Sequence, residues 1–589
     1  MLTSKSSTVT DWPYSIREGY LLLFLAFVTL GVYYPAILGD FCFVDDIEDI
    51  NWALNNSSPQ LKDILFSANK YRRFLSQVLF YWFHDVFGAQ AVHFHLANVL
   101  FHLLNGLLVY FLVKQLLHED GGTLWPGLLA ASFFLLHPNN VEAVAWIAGR
   151  NATIATLFVL FALNCHIRAQ KDLKDWRLWV AGLFYFFSVL TYEIGLALLF
   201  FIVLLDLHER SEGGILQAAH NSYRAWLPYS VGILYFILPN LFAFFVGSGK
   251  ESQLYLAVAG VVHAPSHKVL LNPIIGLGFY LKKMFFPWPL SFHIARVVKT
   301  PYFLVGLAFL VLLGYGIKKR RWEVLWGLGF LCGLLPVLYL TVRPFSWTPL
   351  AERYSYLASV FFAIFVGLFY AKHVCQRRLS LHSWAKVLPF VVVFVFGVGS
   401  AKRTPVWQSS EALLTDAYQK SNGGGWVGVT YGVMLLSQHR EAEAEEYLQK
   451  ALENGPVYRA AFGLGMLEES RGNYEKAEEY YLKAAWPSFK VHEWKRNLTP
   501  DVYKALARLH LSWATKDKEK IDYHYERSVH FFGRAYEFSD KDPMIRYNLC
   551  KVYLKQGDLE RARDCFRQVW EEVPDTYYGK AAGKLMKVN

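Results

Sequence analysis

Long apolar runs alternate with short polar segments over residues 20 to 400, and beyond that point the pattern changes. Stretches 20–38, 92–116, 151–167, 302–317, 323–341, 353–371 and 386–400 are mostly apolar. Each approaches the roughly 20 residues that a helix needs to cross a bilayer. The pattern predicts an all-α chain in two parts: a polytopic membrane domain of about 11 to 13 spans over 1–403, then a soluble domain over 404–589. The second part is charged and amphipathic. No small-residue cleavage site follows the first apolar run, so that run is expected to stay as a span.

Basic loops set the expected sidedness. IKKRRW (317–322), the loop 371–386 and RAQKDLKDWR (168–177) are the densest positive segments and are placed in the cytoplasm. Parity then puts the first loop (38–91), HPNNVEAVAWIAGR (137–150), TVRPFSWTPLAER (341–353) and the soluble tail on the extracytoplasmic side. Residues 269–300 fit this only as a re-entrant or interfacial element, or as a hairpin broken around Pro287 and Pro289.

The tail repeats itself. Gly432, Ala444, Ala451 and Pro456 recur as Gly465, Ala477 and Ala484 one window later, and Tyr553, Ala562, Phe566 and Pro574 fit the same frame. Small residues where paired helices meet, with aromatics filling gaps and proline closing the unit, are the tetratricopeptide pattern of about 34 residues. Residues 500–540 read as a degenerate repeat with an insertion near 515–525. Concave repeat surfaces take up peptide or protein, so a protein partner or docked acceptor is expected there.

Composition narrows the reading. A net charge of +11 would admit nucleic acid. The basic residues instead sit beside spans, without an aromatic-basic recognition motif, and no nucleic-acid partner is expected. Six cysteines lack CxxC or Cys/His spacing and read as isolated apolar residues.

The chemistry concentrates on one face. GDFCFVDDIEDINW (39–52) places Asp40, Asp45, Asp46, Glu48 and Asp49 just outside the first span. Crowded carboxylates near a low-dielectric surface raise one another's pKa, which suits a base; a solvated acidic loop would carry the same letters. YRRFLSQ (71–77) supplies Arg72 and Arg73, suited to a lipid phosphate or merely to anionic headgroups. His95, Asn98, His102 and Asn105 form one stripe down a span, facing either a wet cavity or neighbouring helices. His137, Glu142 and Arg150 lie in the second outer loop, and Glu193, Glu352 and Arg353 at two further helix ends. GSGKE (247–251) lacks the phosphate-loop frame and is rejected.

The order of GDF…DD (39–46), YRRF (71–74), H..N...H (95–102), HP...EAV..I.GR (137–150), ERY.YL (352–357) and T..W (404–407) spans nearly the whole chain. It resembles the transmembrane and tetratricopeptide-repeat O-mannosyltransferase-like branch of the GT-C glycosyltransferases, including its bacterial relatives. Two departures stand out: Arg73 replaces the family's proline, and Tyr192-Glu193 replaces its lysine–glutamate. The resemblance implies inverting transfer of a sugar from a polyprenyl-phosphate donor to an acceptor hydroxyl, protein Ser/Thr being favoured over a lipid or glycan. It implies Asp45 or Asp46 as base, with Asp40 third. Arg72, Arg73, His95, Asn98, His102, His137, Glu142, Arg150, Glu193, Glu352 and Arg353 would surround the donor's phosphate or sugar. Some such enzymes use a divalent metal and others do not; none is assigned here. A non-catalytic membrane scaffold displaying repeats is the competing class. The short tail favours a bacterial inner membrane, while sequons at Asn55, Asn56, Asn151 and Asn497 would suit the endoplasmic reticulum.

Overall fold

A computed structural model describes residues 16–47, 49–50, 73–117, 124–169, 174–210, 214–245, 265–294, 297–319, 321–342, 349–375, 384–421, 425–454, 457–485, 499–539, 541–574 and 576–586. Among them every regular element is helical. The chain divides into two compact units, Met1–Asp416 and Ala417–Asn589.

The first unit begins with α1 (Ile16–Ile37), α2 (Phe74–Phe87), α3 (Ala91–Leu116), α4 (Leu124–Leu136), α5 (Arg150–Ala169), α6 (Arg177–Thr191) and α7 (Ala197–Glu209). It continues with α8 (Ile215–Trp226), α9 (Ser230–Phe245), α10 (Ser266–Phe285), α11 (Lys299–Lys318), α12 (Glu323–Leu338), α13 (Tyr356–Tyr370) and α14 (Trp384–Arg403). Seven described helical stretches are long and apolar enough to cross a membrane: Ile16–Ile37, Ala91–Leu116, Ile147–Ala169, Lys299–Lys318, Glu323–Thr341, Glu352–Cys375 and Lys386–Trp407. Leu124–Leu136 and Arg177–Thr191 are shorter apolar helices.

Burial orders these helices. In α4, ten residues from Pro126 to Leu136 are buried, so it is central, packed on α3, α13 and α14. In α11 only Gly306, Leu313 and Gly316 are buried, so its apolar surface faces outward, as lipid requires.

Three short turns matter most for function. Between α4 and α5 the chain runs through a 3-10 turn (Pro138–Asn140), a five-residue helix (Val141–Ala145) and a second 3-10 turn (Ile147–Gly149), with residues 137–147 all buried. A 3-10 turn at Glu193–Leu196 follows α6, and another at Glu352–Ser355 precedes α13.

Within 269–300 the chain breaks at Pro287 and Pro289, one of the forms expected, and the arm before the break is a full helix. Helix α10 runs unbroken over 20 residues and pairs with α11; Pro287 and Pro289 fall in the connecting loop. Glycine permits that pairing: a Cβ on Gly278 would lie 1.8 Å from the Tyr302 carbonyl oxygen, and one on Gly306 2.2 Å from that of Ile274. Lower positions of α10 meet higher ones of α11, so the two helices run antiparallel.

The compact unit also reaches further than residue 403. Thr404 donates its hydroxyl to the Val32 carbonyl, Asp40 N–H reaches the Gln408 carbonyl, and Phe43 N–H reaches Ser410 Oγ. Residues 404–416 therefore belong with the first unit, and the break falls inside α15 (Ser410–Lys420).

The second unit is a run of helical hairpins: α16 (Gly425–Ser437), α17 (Glu441–Asn454), α18 (Val457–Ser470), α19 (Tyr474–Ala485), α20 (Thr499–Lys516), α21 (Ile521–Phe538), α22 (Pro543–Gln556), α23 (Leu559–Glu572) and α24 (Tyr577–Leu585). The small residues of the repeat pattern sit at helix contacts: Ala444, Ala451, Ala477 and Ala562 are buried. The insertion expected near 515–525 takes the form of longer helices: α20 and α21 run 18 residues each around a four-residue turn, against 12 to 14 in α16–α19, α22 and α23. Two cysteines read as isolated are paired: Cys550 of α22 and Cys565 of α23 form a disulfide, while Cys42, Cys165, Cys332 and Cys375 are free.

Candidate active site

The acidic loop folds against the turn between α4 and α5. Asp46 is fully buried and accepts from two backbone amides, Cys42 N–H to Oδ2 at 3.0 Å and Ala148 N–H to Oδ1 at 2.9 Å. Burial pushes its pKa up to about 8, opposed by those two amides and by the Arg150 charge. Asp49 pairs with Arg150 Nη2 at 2.7 Å, and the Arg150 guanidinium lies 4.2 Å from the Phe80 ring centre. Asp45 differs from both. It is exposed and has left-handed backbone, φ 66°, a conformation uncommon away from glycine. Asp40 is also exposed, with its amide on Gln408 and its carbonyl 3.3 Å from His95 Nε2. Glu48 and Arg72 lie outside the described residues, as do GSGKE (247–251), Asn55, Asn56 and Asn497. Asn151 donates its side-chain amide to the Ala148 carbonyl.

Two adjacent residues at the foot of α13 carry opposite charges, and each has a buried partner from a different segment. Arg353 pairs with Glu142, and its backbone N–H donates to the same carboxylate at 3.1 Å. Burial raises the Glu142 pKa, opposed by the Arg353 charge. Glu352 Oε1 accepts from Lys283 Nζ at 2.8 Å and from Ser291 N–H at 3.0 Å. The lysine also reaches the carbonyls of Pro287 and Pro289. Just before, the Tyr280 hydroxyl donates to the Ala351 carbonyl at 3.2 Å and accepts its N–H at 3.3 Å. Residues 351–353 are thus clamped from both sides.

Aromatic faces join these groups. The Arg353 guanidinium lies 5.1 Å from the Trp146 ring centre and 4.7 Å from that of Tyr354. The Trp146 indole N–H donates to the Val44 carbonyl at 3.3 Å. Arg73 sits 4.3 Å from the Tyr192 ring centre and pairs with Glu193 at 3.5 Å. Tyr192 lies within electrostatic reach of Arg73, Tyr354, Glu193 and Arg353, which connects the two arginines. Arg73 and Glu193 are half-buried, open enough to meet a ligand.

The polar stripe of α3 is engaged inside the protein. Asn98 donates to the Trp146 carbonyl at 2.8 Å, and His102 has Tyr356 Oη 2.7 Å from Nδ1 and the Leu135 carbonyl 3.1 Å from Nε2. Asn105 donates to Thr153 O and Tyr356 Oη. His137 lies with Nε2 3.1 Å from the Met284 carbonyl and accepts Asn139 N–H on Nδ1; burial pushes its pKa down to about 4. As placed, these side chains hold α3, α4, α5 and α13 to the turns that carry the charged groups.

The candidate residues therefore fall in two sets. Asp46, Asp49, Glu142, Arg150, Glu352, Arg353, Arg73 and Glu193 come from five segments linked through Trp146, Tyr192 and Tyr354, and Asp45 follows Val44, whose carbonyl Trp146 holds. His95, Asn98, His102 and His137 are buried and engaged as braces. Among the described residues no group of three His, Cys, Asp or Glu side chains is placed to hold a metal ion. Sequence reasoning missed Lys283, Trp146 and Tyr192. A lysine within an apolar stretch was the available signal for the first, since a buried ammonium requires a buried partner.

A tetratricopeptide-repeat family model matches residues 435–488. The protein O-mannosyl-transferase F38B6.6 of Caenorhabditis elegans is 29% identical over 163 residues, 26% of this chain and 23% of that protein. The protein O-mannosyl-transferase TMTC2 of Mus musculus is 41% identical over 86 residues, 14% of this chain and 10% of the relative, with the same figures for the Homo sapiens protein. The alignments thus span at most 23% of these relatives' length. A solved structure, the APC/C hetero-tetramer Cut9-Hcn1, overlays 97% of this chain and 96% of its own at 13% identity with a TM-score of 0.26, too loose a likeness to bear on fold or function.

Proposed function

We propose that this protein is a GT-C-type glycosyltransferase of the membrane. It would move a sugar from a polyprenyl-phosphate donor to an acceptor hydroxyl, preferably a protein Ser or Thr, on the extracytoplasmic side. The observation that carries the reading is the meeting of the acidic loop with two arginines from distant segments, Arg73 and Arg353, joined by Trp146, Tyr192 and Tyr354. The similarity to protein O-mannosyl-transferases supports mannose as the sugar and protein as the acceptor.

In this reading Asp45 is the base. Its side chain is exposed to an incoming hydroxyl, whereas Asp46 is fully buried with both oxygens on backbone amides. Asp45 takes the proton from the acceptor hydroxyl. The freed oxygen attacks the anomeric carbon from the face opposite the phosphate, and the C–O bond to the phosphate breaks with inversion. Charge growing on the leaving phosphate is met by Arg73 and Arg353, and Glu142 and Glu193 hold those guanidinium groups in place beforehand. No step is assigned to a metal.

The disulfide of the repeat unit supports an oxidising compartment around the tail, such as a periplasm or the lumen of the endoplasmic reticulum. The repeats would present or recruit the acceptor. The test is transfer of labelled sugar from defined polyprenyl-phosphate sugars by purified protein, with Ser/Thr peptides and with lipid or glycan acceptors in parallel. Label on peptide supports the full reading; label on lipid or glycan alone keeps the chemistry and replaces the acceptor. If no carrier-linked sugar is consumed, the reading falls to a membrane scaffold.

A further inference from the structure

The repeat unit contains a charged cluster that the proposed transfer does not use. His510 of α20 and His524 of α21 are both buried, and their Nδ1 atoms face each other at 3.0 Å. His510 Nε2 lies 3.3 Å from Glu478 Oε1 of α19, and the same oxygen accepts from Arg527 Nη2 of α21 at 2.7 Å. His524 Nε2 lies 3.8 Å from Asp517 Oδ2 in the turn between α20 and α21. Trp513 stacks on both rings, with centroids at 5.6 and 4.5 Å, and Tyr523 stands edge-on to His510. Lys516, one residue before Asp517, has its amine 5.0 Å from the Tyr474 ring centre.

The number of hydrogens the four ring nitrogens can hold is limited by this geometry. Two Nδ1 atoms at hydrogen-bond distance need one hydrogen between them. With none, two lone pairs oppose each other; with two, a pair of N–H groups collide. A carboxylate only accepts, so His510 Nε2 is matched when it carries hydrogen, while His524 Nε2, 3.8 Å from Asp517, lies beyond hydrogen-bond reach. Two hydrogens, one on His510 Nε2 and one between the Nδ1 atoms, satisfy every hydrogen bond.

We propose that His510 and His524 form an acid-sensitive latch across the α20–α21 hairpin, closed while one hydrogen lies between the two Nδ1 atoms and opened when acid places a hydrogen on each. The His510 hydrogen bond is the largest influence holding the Glu478 carboxyl down at about 2, and burial followed by the His510 charge lowers the His524 pKa. The hairpin is central to the repeat core, where Ala507, Leu509, Phe531 and Phe532 pack with Tyr481 of α19 and Ile545 of α22. Opening the latch would therefore reshape the surface that docks a partner, tying docking to the acidity of the compartment.

Hydrogen exchange on the full-length protein in detergent tests this, at about pH 7.5 and about pH 5, the range in which histidine titrates. After correction for intrinsic rates, peptides from 499–538 should lose about tenfold more protection on acidification than peptides from 543–572. His524→Asn keeps a donor toward His510 but takes up no proton, and should flatten the response. The comparison between segments needs only the parent protein, so a variant that fails to fold does not affect it. Equal acid responses in the two segments would overturn the latch. So would stoichiometric Zn²⁺ binding that raises protection of 499–538 and is lost in His524→Asn, because the pair would then be a metal site.

Discussion

The Arg353 guanidinium lies over the Trp146 ring, 5.1 Å from its centre, and the same indole donates its N–H to the carbonyl of Val44, the residue before Asp45. One side chain thus fixes an arginine on one face and the acidic loop on its edge. Trp146→Phe keeps a ring and removes the donor. The orphaned Val44 carbonyl should cost about 1 kcal/mol of stability. With the loop loosened beside the base, turnover should fall about tenfold, near 1.4 kcal/mol of barrier. Initial rates beside a melting curve would check this, and unchanged turnover would break the link drawn between Trp146 and Asp45.

The two neighbouring aspartates should separate chemistry from architecture. Asp45→Asn replaces an exposed carboxylate, so it should lower transfer by about 10² or more while costing less stability than Asp46→Asn. Asp46→Asn can accept one of its two backbone amides, but its NH₂ then opposes the other. It should therefore lose about 1–3 kcal/mol of stability. Assaying both variants at matched folded concentration decides the assignment; if Asp45→Asn turns over normally, the base lies elsewhere.

Asp46 also gives the protein a signed pH dependence. Burial raises its pKa to about 8 in the fold, so the folded chain holds this proton more tightly than the unfolded one. That contribution is fully present below about pH 4 and is lost as pH rises through about 8. Other groups titrate as well, so the quantity to follow is the difference in melting temperature between parent and Asp46→Asn. It should shift against the parent as pH rises across that window. A flat difference would mean that Asp46 does not titrate there.

Helix-forming apolar runs and the small-residue spacing of the tail were legible because both depend on local periodicity. The buried alanines 444, 451, 477 and 562 lie where the repeat frame puts them. Partnership was not legible. Nothing near Asp46 announces that its acceptors are used by Cys42 and Ala148, one of them 102 residues away. The ties of the tail opening were not legible either: Thr404 donates to the Val32 carbonyl, while Gln408 and Ser410 accept from the amides of Asp40 and Phe43. Cys550 and Cys565 looked isolated because a disulfide between neighbouring helices needs no motif, only a Cα separation near the 5.4 Å found.

The Lys283–Glu352 pair should behave as a buried couple. Glu352→Gln leaves an ammonium facing only neutral oxygens, the new amide and the Pro287 and Pro289 carbonyls, and Lys283→Met leaves a carboxylate with only the Ser291 amide. Each single change should cost about 3–5 kcal/mol, because it strands a desolvated charge. The double change removes both charges and should be milder than either alone, giving a coupling of roughly 1–3 kcal/mol in a double-mutant cycle. Additive losses would show that the two side chains act independently.

The Cys550–Cys565 bridge reports which side of the membrane the tail occupies. It ties the two helices of one hairpin across 15 residues, a loop length for which a disulfide contributes about 3 kcal/mol. In an extracytoplasmic compartment it should persist, whereas cytoplasmic thiol systems would reduce it. Alkylation in intact membranes with a thiol reagent that adds mass should therefore leave Cys550 and Cys565 unmodified until a reductant is added. Cys550→Ser should free Cys565, which is half-buried, for labelling and lower the unfolding midpoint of the repeat unit. If both thiols label without reductant in correctly folded protein, the tail lies in a reducing compartment. The donor, acceptor and base would then have to be sought on the opposite membrane face.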